Sequence, residues 1–451
     1  MSSRFTSVAG VTGVAGLIAV LVVASPAWQA AGSQQAESPQ SGTASAAGVV
    51  SALRAGDHWV HSWAAMPQLT EPGNMPPAPF TGDGQVLVDT TLRQTIHVSV
   101  GGGEVRLRFS NAFGGADLPI TSAAVALPVD GQAGVSGIRS GTSRALTFGG
   151  RSAVVVPVGA EMVSDPVRFS VAARSNLTVT VYLASGQSST NITSHPGSRT
   201  TSYLIAGDHV TDPDLVGATT ATHWYFLSGL EVREPADTAA AVVLGDSLTD
   251  GRGSTTNGND RWPDQFLDRL QTTVAGQHVA VINEAAGGNR VLHDGLGPNA
   301  LARFDRDILA TSGVRWLVVF EGVNDIGTAD ATQAAQDQVA DDLIAAYEQM
   351  ILRAHAQGIA VYGATLLPFG QNASYDDAQG YRESAREKVN AWIRAAHHFD
   401  AVLDFDRVVR DPAAPRDLLA SIDTGDHLHL TPAGYGMLAG SIPLDLFRPG
   451  R

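Results

Sequence analysis

The stretch Val242–Gly253 reads VVLGDSLTDGRG. An apolar run stops at Gly245, and an acid, a serine and a loop rich in Gly, Asp and Thr follow. A buried strand that gives way to such a turn places Ser247 beyond the strand's carboxyl end, where open α/β sheets bind ligands. Taken alone, Ser247 reads equally well as a helix cap or a turn residue. A serine nucleophile needs a base, an acid that orients the base, and donors for an oxyanion. The rest of the chain has to supply them.

From REPADTAAAVVLGDS (Arg233–Ser247) onward, strand patterns alternate with helical ones, which predicts a parallel sheet covered on both faces. The expected strands are Ala240–Leu244, Val279–Asn283, Trp316–Phe320, Ile359–Thr365 and Ala401–Asp404. Helical spacing is clearest over Gln336–Gln357, with Gly358 as its stop. Further helices are expected from Trp262-Pro263, over Tyr381–Ala396, and after Thr431-Pro432, where Thr431 is the cap.

Before that point, from about His58 to Val232, the period is two. Ile96, Val98 and Val100 share a face, as do Val105, Leu107 and Phe109, and Leu177, Val179, Val181 and Leu183. Gly and Pro turns separate these runs, which predicts an antiparallel sandwich with one face of each strand buried.

With 451 residues, the chain is too long for one ordinary core. Its net charge of -15 and 29 Lys plus Arg argue against a nucleic-acid partner, which needs a basic surface. The absence of cysteine excludes a thiol nucleophile and Cys-ligated zinc. Arg4, the apolar run Val8–Ala24 and the small residues to Ala31 have the order of a secretory signal peptide. The polar, small-residue stretch Ser33–Ala47 reads as a tether. The expected organisation is a signal peptide over 1–31, a linker over 32–55, a β-sandwich domain over 56–235 and an α/β domain over 236–451. Secretion follows as an expectation, with no stable membrane partner after cleavage and a monomeric state.

Four segments of the second half fall beyond strand ends: GDSLTDG, NEAAGGNR, EGVNDIG and DHLHLTPAGY. They carry the residue types that acyl transfer requires. His429 is a candidate base for Ser247, and Asp426, three residues earlier, is placed to orient it. The backbone N–H groups of Ser247 and Gly288 and the side-chain amide of Asn324 are candidate oxyanion donors. Each also has a bland reading: Gly288 and Asn324 as turn residues, and Asp426 with His429 as a surface pair. Asp246 and Asp325 are expected to brace loops through backbone N–H groups. Trp262, Arg290 and His293 lie in loops near the mouth and are candidate substrate-binding residues, with loop scaffolding as the plainer reading. Loops Gly251–Arg261 and Phe369–Gly380 are expected to shape the pocket.

These four segments, in this order and at this separation, resemble the sequence blocks of the SGNH, or GDSL-type, serine esterases and lipases. Gly245–Leu248 resembles the first block, Gly287–Arg290 the second, Gly322–Asp325 the third and Asp426–His429 the last; the likeness runs from about Ala240 to Leu446. GRGSTTNGNDRWPD and RVLHDGLGPNALARFDRDIL are similar to a secreted actinobacterial branch that carries an N-terminal β domain. That branch is similar to esterases associated with xylan breakdown. Leu430 departs from the proline that many relatives have after the histidine. The resemblance implies a three-layer α/β/α, flavodoxin-like catalytic domain after the β-sandwich. It also implies a carboxylic-ester hydrolase acting on small-molecule or polysaccharide esters, such as acetylated xylan, with no metal or organic cofactor. A polysaccharide or cell-wall binding protein with an inactive esterase domain, and an acyltransferase, stay open as alternatives.

Overall fold

The structure, a computed structural model, describes residues 56–448. The expected signal peptide and linker lie outside the described residues. In the C-terminal half, five parallel strands form one sheet. In spatial order they are Val279–Asn283, Ala239–Gly245, Val314–Phe320, Ala360–Ala364 and Ala401–Leu403. By chain order that is 2-1-3-4-5, the flavodoxin-like doubly wound arrangement. The strand Ala239–Gly245, sequence AAAVVLG, is buried along its whole length, as a central parallel strand covered on both faces must be.

Helices Trp262–Leu270 and Pro432–Ser441 pack together in one layer, and Gln333–His355 packs on Tyr381–Arg394 in the other. Thr332 caps the long helix three residues earlier than its apolar spacing suggested, because its hydroxyl accepts from Ala335 N–H. Thr431 caps Pro432–Ser441. The strand order reverses on either side of Ala239–Gly245. Ser247 therefore sits at the topological switch point, where such sheets open a crevice.

The N-terminal half holds antiparallel sheets. One runs Asp57–Ala64, Leu227–Pro235, Gly102–Ser110, Glu161–Val163. The other has Thr90–Val98 and Ser175–Leu183 at its centre. The expected apolar faces are buried, but the polar faces of the central strands are buried too, against the one-sided expectation. Arg93 explains this. Its guanidinium is fully buried, donating to Thr180 Oγ1 (2.9 Å), Ser136 O (2.6 Å) and Asp212 O (2.9 Å). The loops carrying residues 136 and 212 thus close over that face.

The two halves share one hydrophobic core and form one compact unit. Asp57–Ala64 lies against Val279–Asn283, the edge strand of the parallel sheet. Ser99 Oγ accepts from Val281 N–H (2.7 Å), so an edge donor that water would otherwise hold is satisfied from the β-sheet region. His61 N–H donates to Ser312 O (3.0 Å), and Ser312 N–H to His61 Nδ1 (2.9 Å). Among the described residues, no helix is long and apolar enough to cross a membrane. Because the core is continuous, calorimetry should record one cooperative unfolding transition for both halves. Two resolved transitions would show that the halves unfold independently.

Candidate active site

Ser247 begins a short helix, Ser247–Asp250, directly after the first parallel strand. Asp246 caps this helix, its Oδ1 accepting from Leu248 N–H (2.9 Å). His429 comes from the turn before Pro432–Ser441, 182 residues away, and its Nε2 lies 2.8 Å from Ser247 Oγ. Its Nδ1 lies 2.6 Å from Asp426 Oδ2. A carboxylate only accepts, so Nδ1 carries the proton and Nε2 is left to accept from the serine hydroxyl. Asp426 Oδ1 takes the backbone N–H groups of His429 (2.8 Å) and Leu428 (3.1 Å), which fixes the carboxylate in place. Partial burial opposes the charge of Asp426, but these hydrogen bonds and the imidazole win, holding its pKa well below the usual range. Burial pushes His429 below its ordinary value. Asp426 pulls it back up, while Arg252 and Arg199 add to the lowering.

Ser247, His429, Gly288 and Asn324 line one cleft of about 530 Å³. Gly288 has φ +72, and a Cβ there would come within 2.4 Å of Leu296 Cδ1, so the close, left-handed turn requires glycine. Among the described residues, neither Ser247 N–H nor Gly288 N–H has an acceptor. Asn324 Nδ2 donates one proton to Asn289 O (2.8 Å) and keeps a second; its Oδ1 accepts from Tyr375 O–H (2.6 Å), which fixes the amide's orientation. The cleft therefore offers donors from three separate turns around one serine.

The three candidate substrate-binding residues are not part of this wall. Trp262 is a correction: it is fully buried, donates from Nε1 to Thr249 Oγ1 (3.1 Å) and packs edge-on against Phe405. As the first residue of a helix lying on the sheet, it faces the core. Arg290 also departs from a substrate role. It ties its own loop, donating to His293 O (3.3 Å), Thr328 Oγ1 (3.3 Å) and Asp294 O. His293 is exposed on that loop, outside the cleft lining. Asp325 accepts from Val291 N–H (2.8 Å) and Leu292 N–H (2.9 Å), a loop brace as expected. His427 turns away to Asp423 Oδ2 (2.7 Å).

Sequence reasoning missed Tyr375, Asp250, Arg199 and His195. Tyr375 sits in the loop Phe369–Gly380 that was expected to shape the pocket, but no local pattern marks its contact with Asn324. Asp250 accepts Gly287 N–H (3.0 Å) on Oδ2 and faces His195 Nε2 (3.0 Å) with Oδ1. His195 and Arg199 belong to the β-sheet region, so nothing in the four segments pointed to them.

Below the site lies a group of buried acids. Asp246 is pushed up to about 7 by burial and by the neighbouring carboxylates of Asp325 and Asp250. Burial raises Glu321 to about 8, Arg303 offsetting only part of it. Neither carboxyl oxygen of Glu321 has a hydrogen-bond partner among the described residues, and Arg303 Nη2 stands 3.5 Å from Oε2. Among the described residues, no three His, Asp or Glu side chains are grouped as a metal site.

Residues 243–437 match the GDSL-like Lipase/Acylhydrolase family, the span that contains all four turns of the cleft. The C-terminal half is a GDSL-like lipase/acylhydrolase domain. Members of this SGNH family are in general carboxylic-ester hydrolases. No curated protein matches at a significant level. Solved structures similar to this hydrolase domain include a GDSL-like lipase from Bacteroides thetaiotaomicron, with 19% identity, TM-score 0.32, and 45% of this chain and 84% of that one covered. Another is a catalytic mutant of an acetylxylan esterase from Geobacillus stearothermophilus, with 17% identity, TM-score 0.34, and 45% and 91% covered.

The raised acids give the hydrolase domain a pH signature. The folded state holds protons on Glu321 and Asp246 that the unfolded chain has released, so stability falls as pH rises from the ordinary carboxyl range toward 7 to 8. Glu321→Gln should flatten the fall in Tm between about pH 5 and about pH 8. An unchanged slope in the variant would remove Glu321 from this role.

Proposed function

We propose that the chain is a serine-dependent carboxylic-ester hydrolase in which Ser247 is the nucleophile, His429 the base and Asp426 the acid that orients it. The observation that carries this reading is the unbroken chain Ser247 Oγ, His429 Nε2, His429 Nδ1, Asp426 Oδ2, with contacts of 2.8 and 2.6 Å, at the wall of an open cleft. In the first step Ser247 Oγ attacks the ester carbonyl carbon while His429 takes its proton. The negative charge moves to the carbonyl oxygen, where Ser247 N–H, Gly288 N–H and the second amide proton of Asn324 meet it. His429 then returns the proton to the alcohol oxygen as the carbon–oxygen bond breaks. Water, deprotonated by the same imidazole, releases the acid and restores the serine. The imidazolium is stabilised in both steps by Asp426, which stays ionised.

Secretion of the mature enzyme, and action on acylated plant polysaccharide such as acetylated xylan, are the finer parts of this proposal. They rest on the N-terminal sequence and on the two loop sequences quoted above.

Ser247→Ala should lower turnover of p-nitrophenyl acetate by roughly 10,000-fold or more with the circular dichroism spectrum unchanged. Full activity in that variant would sink the proposal. The pH profile gives a separate check. The base works only unprotonated, and burial places His429 below 6.5. So kcat/KM should fall on the acid side along a single limb centred below that value. A limb centred above 7 would be incompatible with His429 as the base.

A further inference from the structure

The cleft is not built by the hydrolase domain alone. Glu71, Pro196, Gly197 and Arg199 reach it from the β-sheet region and line it together with Ser247 and His429. The charged groups in its wall differ in one respect. Glu71 accepts from Gln68 Nε2 and from Asn74 Nδ2. Asp250 is held by His195 and Gly287 N–H. Arg252 stands 4.0 Å from Asp426 Oδ2 and is largely exposed. The side chain of Arg199 has no hydrogen-bond or ion-pair partner among the described residues, and its Nε is buried from solvent.

The backbone of Arg199 adds a second observation. Its φ is +50, a left-handed conformation that a long non-glycine side chain rarely adopts. Asn257, from the loop Gly251–Arg261 of the hydrolase domain, holds it there: Asn257 N–H donates to Arg199 O (2.8 Å), and Asn257 Oδ1 accepts from Thr201 N–H two residues on (2.8 Å). Strain of this kind persists where the surroundings over-determine it, and such positions cluster at ligand sites. A half-buried, unpaired guanidinium, with its Nε shielded from solvent, carried on a strained and tethered backbone, is a donor set waiting for an acceptor. Its planar fork fits a carboxylate better than any neutral group.

The side of the cleft follows from the chemistry. Arg252 stands 4.0 Å from Asp426, which holds the His429 ring, and Arg199 lines the same cleft as His429. His429 delivers its proton to the leaving oxygen, so the alcohol half of the ester lies on this side, while Gly288 and Asn324 hold the carbonyl oxygen. We propose that Arg199 is a specificity-determining residue that binds a carboxylate on the alcohol half of the substrate, with Arg252 as a solvent-facing second cation. This rests on the hydrolase reading above. In a protein with a net charge of -15, a local pair of cations beside the nucleophile selects an anionic ester against the overall field.

The test uses two matched pairs of esters with the full chain. One pair places the charge on the alcohol half: 4-acetoxybenzoate against its neutral methyl ester. The other places it on the acyl half: mono-(4-nitrophenyl) glutarate against 4-nitrophenyl butyrate. In Arg199→Met the anionic-to-neutral ratio of kcat/KM should fall about tenfold or more for the first pair, the loss of a hydrogen bond to a charged group. It should change little for the second pair. Arg199→Lys, which keeps the charge but not the fork, should retain part of the preference. Equal loss for both members of the first pair, no loss, or a loss confined to the acyl pair overturns the proposal. Turnover of none of the four esters by the wild-type chain removes the hydrolase reading itself, and this one with it. Turnover without dependence on Arg199 removes this one alone.

Discussion

One buried contact ties the site to the rest of the molecule. Asp250 and His195 meet at 3.0 Å with only 3% of either side chain exposed. His195 Nδ1 faces Met66 O at 3.0 Å, and a carbonyl only accepts, so that nitrogen donates. Nε2 faces a carboxylate, which also only accepts. Both ring nitrogens are thus held, one by the carbonyl and one by the buried Asp250 carboxyl. Removing one partner would leave the other a buried polar group without its hydrogen bond, which typically costs about 1–3 kcal/mol. Asp250 uses its second oxygen on Gly287 N–H, next to the glycine whose own N–H faces the cleft. A histidine of the β-sheet region therefore sets the turn on which the proposed oxyanion donor rides.

Around this contact the same residue type takes opposite states. Asp426, about a third exposed and hydrogen-bonded by two backbone N–H groups and an imidazole, is a ready anion. Asp246, one residue before the serine, is buried among other acids and pushed up to about 7. Both lie within a few residues of the reacting groups in sequence. Environment decides that the first orients His429 and the second caps a helix. The parallel sheet brings this about by delivering several strand ends, each with its acid, to one dry edge. The acids that find backbone donors become structural braces, and Glu321, which finds none, keeps a proton.

The parallel sheet was legible because its strands are apolar throughout and lie between helical periods; four of the five expected strands fall within two residues of those observed, and Val279–Asn283 coincides. The meeting of Ser247, Asp426, His429, Gly288 and Asn324 was also foreseeable, since each follows a strand and all strands end on one side. What escaped the sequence was what depends on partners outside the four segments. Trp262 looks like a mouth residue at the start of the helix it was expected to open, yet its ring faces the core. The polar faces of Thr90–Val98 and Ser175–Leu183 look solvent-facing, yet Arg93 gathers loops from residues 136 and 212 over them. Tyr375, His195 and Arg199 carry no local pattern, because their meaning comes only from what they touch.

Gly197 packs so closely on Asp250 that a Cβ there would fall 1.8 Å from its Oδ2. No hinge or spacer fits between the halves at that point. The β-sheet region is thus a wall of the reaction vessel rather than a passenger module. A different leading domain would leave Asp250 without His195 and the cleft without one of its walls. The two halves share one core and one cleft, however separable they look when the sequence is read from left to right.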